Sequence, residues 1–313
     1  MSHSKPIRLD PPDTACFLVG VDGGGSGTRA RLCAPGGRLL GQGSAGPSSL
    51  SQGVAQAWTH LQQAVAAAFE DAALPVPAPQ RIRLSSGLAG AGVAAQRDAF
   101  LAADPGYAQC LLATDAAAQL AGAHRGQPGV VLAAGTGSVA AARLPDGRLL
   151  QVGGWGFPVG DEGGGAWLGL RAMQQAQAVA DGRDPPGALA AAVAQAVGGA
   201  DAATLLQWCA DARQAAYGTL APCVFGAAAA GDAAAIALLD VAVAELMRLL
   251  QVVDRAAAPA LLQVVVVGSI GERLAPRWPP ALRDRMVAPA GDSADGALWL
   301  LHAAMEPAVT SDA

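Results

Sequence analysis

The sequence predicts an α/β protein built from two similar lobes, and three observations carry that prediction. The apolar run Phe17–Val21 meets a glycine loop at Asp22–Thr28 and then a hairpin, so a buried strand is followed by a turn rather than by a helix. Strand-like runs alternate with helix-like stretches through both halves of the chain. The chain also repeats itself. At an offset of 110 residues, Gly25–Gly46 (GSGTRARLCAPGGRLLGQGSAG) falls on Gly135–Gly156 (GTGSVAAARLPDGRLLQVGGWG) without a gap, with ten of 22 positions identical. About two would coincide by chance in a chain of this composition, so the repeat reads as a structural duplication.

The elements follow in order. Residues 1–14 are polar and proline-bearing and read as a disordered leader. The first lobe spans 15–126. In it, Thr28–Cys33 and Arg38–Gly43 flank Pro35-Gly36-Gly37 and predict a hairpin. Ser51 to Ala73 predicts a helix capped by Ser51 and closed before Pro75. Ile82–Ser85 predicts a strand, Gly87–Gly92 a glycine turn and Ala94–Ala103 a helix. Cys110–Thr114 predicts a strand that delivers Asp115, with a helix from Ala116 to His124. A linker near Arg125–Gly129 leads to the second lobe, 127–313. It restarts with the strand Gly129–Ala134 and the repeated hairpin. A mostly helical insertion follows from Gly165 to about Leu250, and then the apolar strand of Val264–Leu274, equated here with Cys110–Leu120. A final helix, 292–305, is placed to pack back on the first lobe.

Composition narrows the chemistry. The 313 residues carry 20 basic and 25 acidic side chains, a net charge of −5, with no basic run, so nucleic acid is not an expected partner. Of the 20 basic residues, Lys5 is the sole lysine, and it sits in the leader. A Schiff-base lysine and a P-loop lysine are therefore both excluded from the core. The four histidines and five cysteines show no metal-ligand spacing and no CxxC pair, which reads as buried thiols of a cytoplasmic protein. No uncharged window makes a convincing transmembrane helix, so no membrane is expected.

Four segments can carry chemistry. Asp22–Thr28 (DGGGSGT) sets an acid before a run of backbone N–H groups, and Ser26 and Thr28 add hydroxyl donors that suit a phosphate. Its copy, Gly135–Ser138 (GTGS), has no acid at the matching point, so only the first loop can hold Mg²⁺, through Asp22. Asp115 lies at the carboxyl end of an apolar strand, where it could accept a proton from an attacking hydroxyl or, as plainly, cap the helix that follows. The glycine-dense segment Gly153–Gly169 offers Trp155 as an apolar face for a sugar ring and Asp161 and Glu162 as acceptors for its hydroxyls. A further glycine turn, Gly268-Ser269-Ile270-Gly271, follows VVVV and could admit an adenosine.

Together these segments resemble the actin/hexokinase-type ATPase superfamily (ASKHA), in the branch holding N-acetylglucosamine kinase, bacterial glucosamine kinase and the BadF/BadG/BcrA/BcrD-type ATPases. The matching residues are VDGGGSGT (Val21–Thr28), LSSGLAGAG (Leu84–Gly92), LLATDAAA (Leu111–Ala118), AAGTGS (Ala133–Ser138), GGWGFPVGDEGGGAWLGL (Gly153–Leu170) and VVGSIGERL (Val266–Leu274). The resemblance implies two lobes with ribonuclease-H-like cores and an active site in the cleft between them. It implies a phosphate-1 element at Gly24, Gly25, Ser26, Gly27 and Thr28, and a phosphate-2 element at Gly135, Thr136 and Gly137. Gly268, Ser269 and Gly271 would form the adenosine element. Asp115 would match the general base of the family's TDA motif. Gly90, Ser49, Ser138, Gly154, Trp155, Asp161 and Glu162 would meet the sugar. Ser49 stands where relatives often have Asn, and Gly164 where a Ser is common. Relatives tend to be dimers, so a homodimer is implied.

The reading that follows is ATP- and Mg²⁺-dependent phosphorylation of glucosamine or N-acetylglucosamine at the 6-hydroxyl. The alternative is an ATPase that activates a partner dehydratase, whose relatives carry a shared iron–sulfur cluster; clustered cysteine ligands are not visible here. A sugar-binding repressor would need a helix-turn-helix ahead of the first loop, and about 15 residues are too few for one.

Overall fold

Phe17–Gly23 (FLVGVDG) is apolar at nearly every position because it is covered on both faces. It forms the central strand β1, and the computed structural model describes residues 16–305 around it. The Gly24–Gly27 turn sends the chain back as β2 (Thr28–Cys33), and Pro35-Gly36-Gly37 returns it as β3 (Leu39–Ala45). Helix α1 (Val54–Asp71) packs its apolar stripe of Leu61, Ala64, Val65, Ala68 and Phe69 on this meander. It begins behind Gly53 without a side-chain cap, and Ser51 lies instead in a 3₁₀ turn, Leu50–Gln52. The expected Ser51 cap is corrected accordingly.

Strand β4 (Ile82–Leu88) runs parallel to β1 and continues three residues past Ser85. Its polar end stays in the sheet because the ladder satisfies the backbone on both sides, through β1 and through β5 (Gln109–Thr114). Helix α2 (Ala94–Ala102) joins β4 to β5, and α3 (Asp115–His124) follows β5 directly. The sheet order is β3-β2-β1-β4-β5.

The second sheet repeats this plan. β6 (Gly129–Ala134) pairs antiparallel with β7 (Ser138–Arg143), which pairs with β8 (Leu149–Gly153). β2 and β7 lie 110 residues apart at both ends. The turns differ by one residue, because Gly23 pairs with Thr28 but Ala134 with Ser138. The ladder therefore puts Ala133, opposite Val139, where the first sheet has Asp22 opposite Arg29. Six helices intervene: α4 (Gly165–Ala180), α5 (Ala188–Val197), α6 (Ala202–Asp211), α7 (Gln214–Gly218), α8 (Ala221–Ala229) and α9 (Ala233–Ala257). Strand β9 (Val264–Val267) then joins β6 in parallel, giving the order β8-β7-β6-β9. β9 thus takes the place of β4, not of β5, and the equation of Val264–Leu274 with Cys110–Leu120 is corrected. The counterpart of β5 is reduced to one bridge, Val264 to Met286.

After the short helices α10 (Ser269–Arg273) and α11 (Pro280–Arg283), the chain ends its described part in α12 (Ser293–Met305). Contacts divide the chain into two units. The first runs to Gly126 and takes the chain back from Pro289, and the second is Gln127–Ala288. In the first unit α12 covers the face of the sheet opposite α1, with Leu298 and Leu301 against Leu18 and Cys33. The second unit buries its own core, including Val130, Leu132, Leu168, Leu246 and Val264. The leader expected to be disordered, 1–14, lies outside the described residues. Among the described residues no single helix is long and apolar enough to cross a membrane. The bent pair α5 and α6 passes that test by length and composition together, but its Leu189, Val193 and Leu205 belong to the core of the second unit.

Candidate active site

In the first unit three parallel strands end side by side. Gly23 pairs with Leu88, and Leu88 with Thr114, so the loops leaving β1, β4 and β5 share the carboxyl edge of one sheet. Open α/β sheets hold ligands at that edge. Strands lie about 4.8 Å apart, so the glycine turn and Asp115 begin about 10 Å from each other. Backbone bonds knit the loops together. Gly24 O accepts from Ser48 N (3.0 Å) and Ser49 N (3.2 Å), Gly23 O from Ala89 N (2.9 Å), and Ala89 O from Leu50 N (2.9 Å).

The Gly24–Gly27 turn is closed by Gly24 N donating to Gly27 O at 3.0 Å. A Cβ at Gly24 would meet no atom within 4 Å, and one at Gly25 only Gln52 Nε2 at 3.7 Å. The backbone is therefore open on its outer side, with room for an anion, and Ser26 is exposed there. Thr28 faces inward. Its buried Oγ1 lies 2.6 Å from Gly46 O and 2.7 Å from Ser48 Oγ, so its hydroxyl ties the turn down rather than reaching a phosphate. That expectation is corrected, because a buried strand residue whose hydroxyl is held by two protein partners cannot also point outward.

Asp22 is the cross-strand partner of Arg29, and its Oδ2 accepts from Arg29 Nη2 at 2.6 Å. This bond outweighs partial burial and holds the Arg29 guanidinium above its ordinary pKa. Asp22 is the penultimate residue of β1, two positions before Gly24. Among the described residues no three His, Cys, Asp or Glu side chains gather as a metal site. Asp22 is a carboxylate at this strand end that could share a divalent cation with phosphates.

Asp115 is the first residue of α3 and is exposed, its Oδ1 accepting from Ala116 N at 2.9 Å. The helix cap is Thr114, whose Oγ1 accepts from Ala117 N at 3.1 Å. The sequence reading that gave Asp115 the cap is corrected. The β-region backbone of Thr114 is what an N-cap requires. Ser49 is buried, with its Oγ 2.9 Å from Ser51 Oγ. Gly90 forms the turn after β4 with φ 91°.

The second unit has a matching edge where β6 and β9 end. Gly135 N donates to Gly137 O at 3.0 Å. The first turn of α4 grips the loop from below, with Gly165 N donating to Gly135 O (2.8 Å) and Ala166 N to Thr136 O (2.9 Å). A Cβ at Gly135 would meet nothing within 4 Å, so this loop is open too. Gly268, at φ 94°, brings Ser269 and Gly271 beside it, and a Cβ there would lie 2.4 Å from Ala134 O. Only glycine fits that approach.

Asp161 is 6% exposed. Its Oδ1 accepts from Gly156 N at 3.1 Å and its Oδ2 from Gln214 Nε2 at 3.1 Å. Ser138 Oγ donates to Glu162 O at 2.6 Å. The Asp161 carboxylate and the Ser138 hydroxyl, read as open to a sugar, are therefore committed to fixing Gly153–Gly165. Once such groups are desolvated, they take protein partners. Gly154, at φ 71°, precedes Trp155, which is 88% exposed. Glu162 is half-buried.

Three residues escaped the sequence reading. Arg29 could have been found from the hairpin register alone, because a four-residue turn sets it opposite Asp22. Ser48 and Gln214 carried no local signal, and Gln214 lies 53 residues from the Asp161 that it holds.

The model of the BadF/BadG/BcrA/BcrD ATPase family matches residues 19–278. The chain is similar to a glucosamine kinase of Vibrio cholerae, 32% identical over 282 residues, 90% of this chain and 94% of that protein. It is also similar to an N-acetylmuramic acid/N-acetylglucosamine kinase of Clostridium acetobutylicum, 27% identical over 166 residues, 51% of this chain and 53% of that one. A crystal structure from Chromobacterium violaceum, provisionally named an N-acetylglucosamine kinase, superposes with a TM-score of 0.82 at 42% identity, covering 92% of this chain and 99% of its own.

Proposed function

Because the chain belongs to the BadF/BadG/BcrA/BcrD ATPase family, we propose that it is an amino-sugar kinase, transferring the γ-phosphoryl group of ATP to the 6-hydroxyl of glucosamine or N-acetylglucosamine. The observation that carries this reading is the shared edge of the first sheet. There an exposed carboxylate, Asp115, stands about two strand spacings from a glycine turn whose backbone is open to an anion. The similarity to named amino-sugar kinases over nine-tenths of the chain supports the substrate class.

In this reading the amides of Gly24, Gly25, Ser26 and Gly27 are the phosphate contacts of the first unit, and those of Gly135, Thr136 and Gly137 are the phosphate contacts of the second. Gly268, Ser269 and Gly271 leave space for the adenosine. Thr28 and Ser138 shape the two turns from behind. Asp22 would hold Mg²⁺ together with the phosphates, and the cation would supply charge neutralisation for the transfer. Asp115 accepts the proton of the 6-hydroxyl as that oxygen attacks phosphorus, and the bond to the leaving ADP breaks in line with it. No core lysine is available, so loop amides share the remaining phosphate charge. For the sugar, the second unit offers the apolar face of Trp155 with Gly154 and Glu162, on a loop held in shape by Asp161, and the first unit offers Gly90 and Ser49.

A coupled ADP-release assay over a panel of hexoses tests the reading. ATP turnover is expected to rise with an amino sugar more than with glucose. Turnover unchanged by glucosamine, N-acetylglucosamine and glucose alike overturns it.

A further inference from the structure

Antiparallel register places Asp22 opposite Arg29 and Gly20 opposite Arg31, so these four residues lie on one face of the first sheet. Helix α12 begins against that same face. A Cβ at Gly20 would lie 2.3 Å from Ala294 O, so the helix backbone rests directly on β1. Its start is a reciprocal capping box: Asp295 N donates to Asp292 Oδ1 at 3.1 Å, and Asp292 N donates to Asp295 Oδ2 at 3.0 Å. The two carboxylates are turned toward the arginines. Arg31 Nη2 lies 2.8 Å from Asp292 Oδ2, and Arg31 Nε lies 3.0 Å from Asp295 Oδ1. Arg29 is shared. Its Nη2 is 2.6 Å from Asp22 Oδ2, while its Nη1 is 3.7 Å from Asp292 Oδ2.

We infer that Arg29 is a positioning residue that competes with the divalent cation for Asp22 and is passed to Asp292 when the cation binds. This rests on the reading of Asp22 as the metal-linked carboxylate. A cation and a guanidinium cannot both neutralise one carboxylate at full strength, and Arg29 occupies an oxygen of Asp22. Its side chain is 58% exposed, so the bond that must yield is weak. The receiving carboxylate is already within ion-pair distance and is fixed by its own capping bonds, so the guanidinium needs only a small rotation. Asp22 therefore stays neutralised and correctly turned until metal and nucleotide arrive.

The test measures the Mg²⁺ concentration that half-saturates binding of a non-hydrolysable ATP analogue by calorimetry, with no turnover involved. Arg29→Ala is expected to lower that midpoint by about two- to fivefold, the competition a half-exposed ion pair can exert. Arg29→Lys should return it toward the wild-type value. Asp292→Asn, which still caps α12, should raise the midpoint because the guanidinium loses its second seat. In an Asp22→Asn background, Arg29→Ala should shift nothing. A pair that serves only stability predicts a lower melting temperature for Arg29→Ala and an unchanged midpoint, and that result overturns the inference. A wild-type midpoint in Asp22→Asn overturns the metal reading and this inference with it. A raised midpoint in Asp22→Asn beside an unchanged one in Arg29→Ala overturns the inference alone.

Discussion

At Asp115 the structure separates two roles that the sequence left joined. Thr114 satisfies the Ala117 amide in the first turn of α3, so Asp115 contributes to the helix only through its own short bond to Ala116 and its place near the positive end of the helix. Two substitutions should therefore behave differently. Asp115→Ala is expected to lower kcat by roughly two to four orders of magnitude, the usual contribution of a positioned base. Its melting temperature should stay close to wild type. Thr114→Ala should lose about 1 kcal/mol of stability, the ordinary cost of a lost cap. Denaturation curves and steady-state kinetics on both variants check this. A folded Asp115→Ala protein with more than about a tenth of wild-type kcat would remove it as the base. At Trp155, the ring lies almost wholly in solvent, so Trp155→Ala should leave the melting temperature unchanged and raise KM for the sugar while leaving KM for ATP alone.

Among the elements, α9 shows how much a single carboxylate can organise. Asp232 caps it by accepting from Ala235 N at 3.0 Å, and it also accepts from Leu189 N of α5 at 3.0 Å. The bonds from Ala235 and Leu189 hold its carboxyl below the usual carboxylate range. A depressed folded value gives stability that is fully present above the unfolded pKa of about 3.9 and is lost as pH falls through the folded one. Asp232→Ala should therefore lower stability by about 1–2 kcal/mol at neutral pH. The gap in melting temperature between variant and wild type should narrow below about pH 4. A gap independent of pH would assign the loss to packing instead. At this scale the sequence was most legible where turn chemistry is local. The hairpins around Pro35-Gly36-Gly37 and Pro145-Asp146-Gly147 and the strand ends at Asp22 and Asp115 could be read directly. It was least legible where distant residues decide. β4 continues through two serines because strands on both sides accept it, the counterpart of β5 survives as one bridge at Met286, and the loop residue Asp161 is fixed by Gln214 of α7.

For the whole molecule, the duplication is a matter of sheet order and ladder, with β2 and β7 in step at both ends and an acid kept in one copy only. The first unit is completed from the far end of the chain. Leu301 of α12 is fully buried against Leu18 and Cys33. Leu301→Ala is expected to cost about 2–5 kcal/mol, as large-to-small changes in a core do. The early part of the unfolding transition should then track exposure of the first sheet, followed by hydrogen exchange of β1. Exchange in β1 no faster than in wild type would contradict the assignment.

That return of the chain has a consequence for synthesis. The second unit is one continuous stretch, Gln127–Ala288, and can close as soon as it has left the ribosome. The first unit is translated earlier but must wait. The face of β1 around Gly20 and Leu18 stays uncovered until residues beyond Pro289 emerge, after the entire second unit has been made. Birth order and completion order are thus reversed, and the interval between them is when nascent chains are most open to chaperones and to one another.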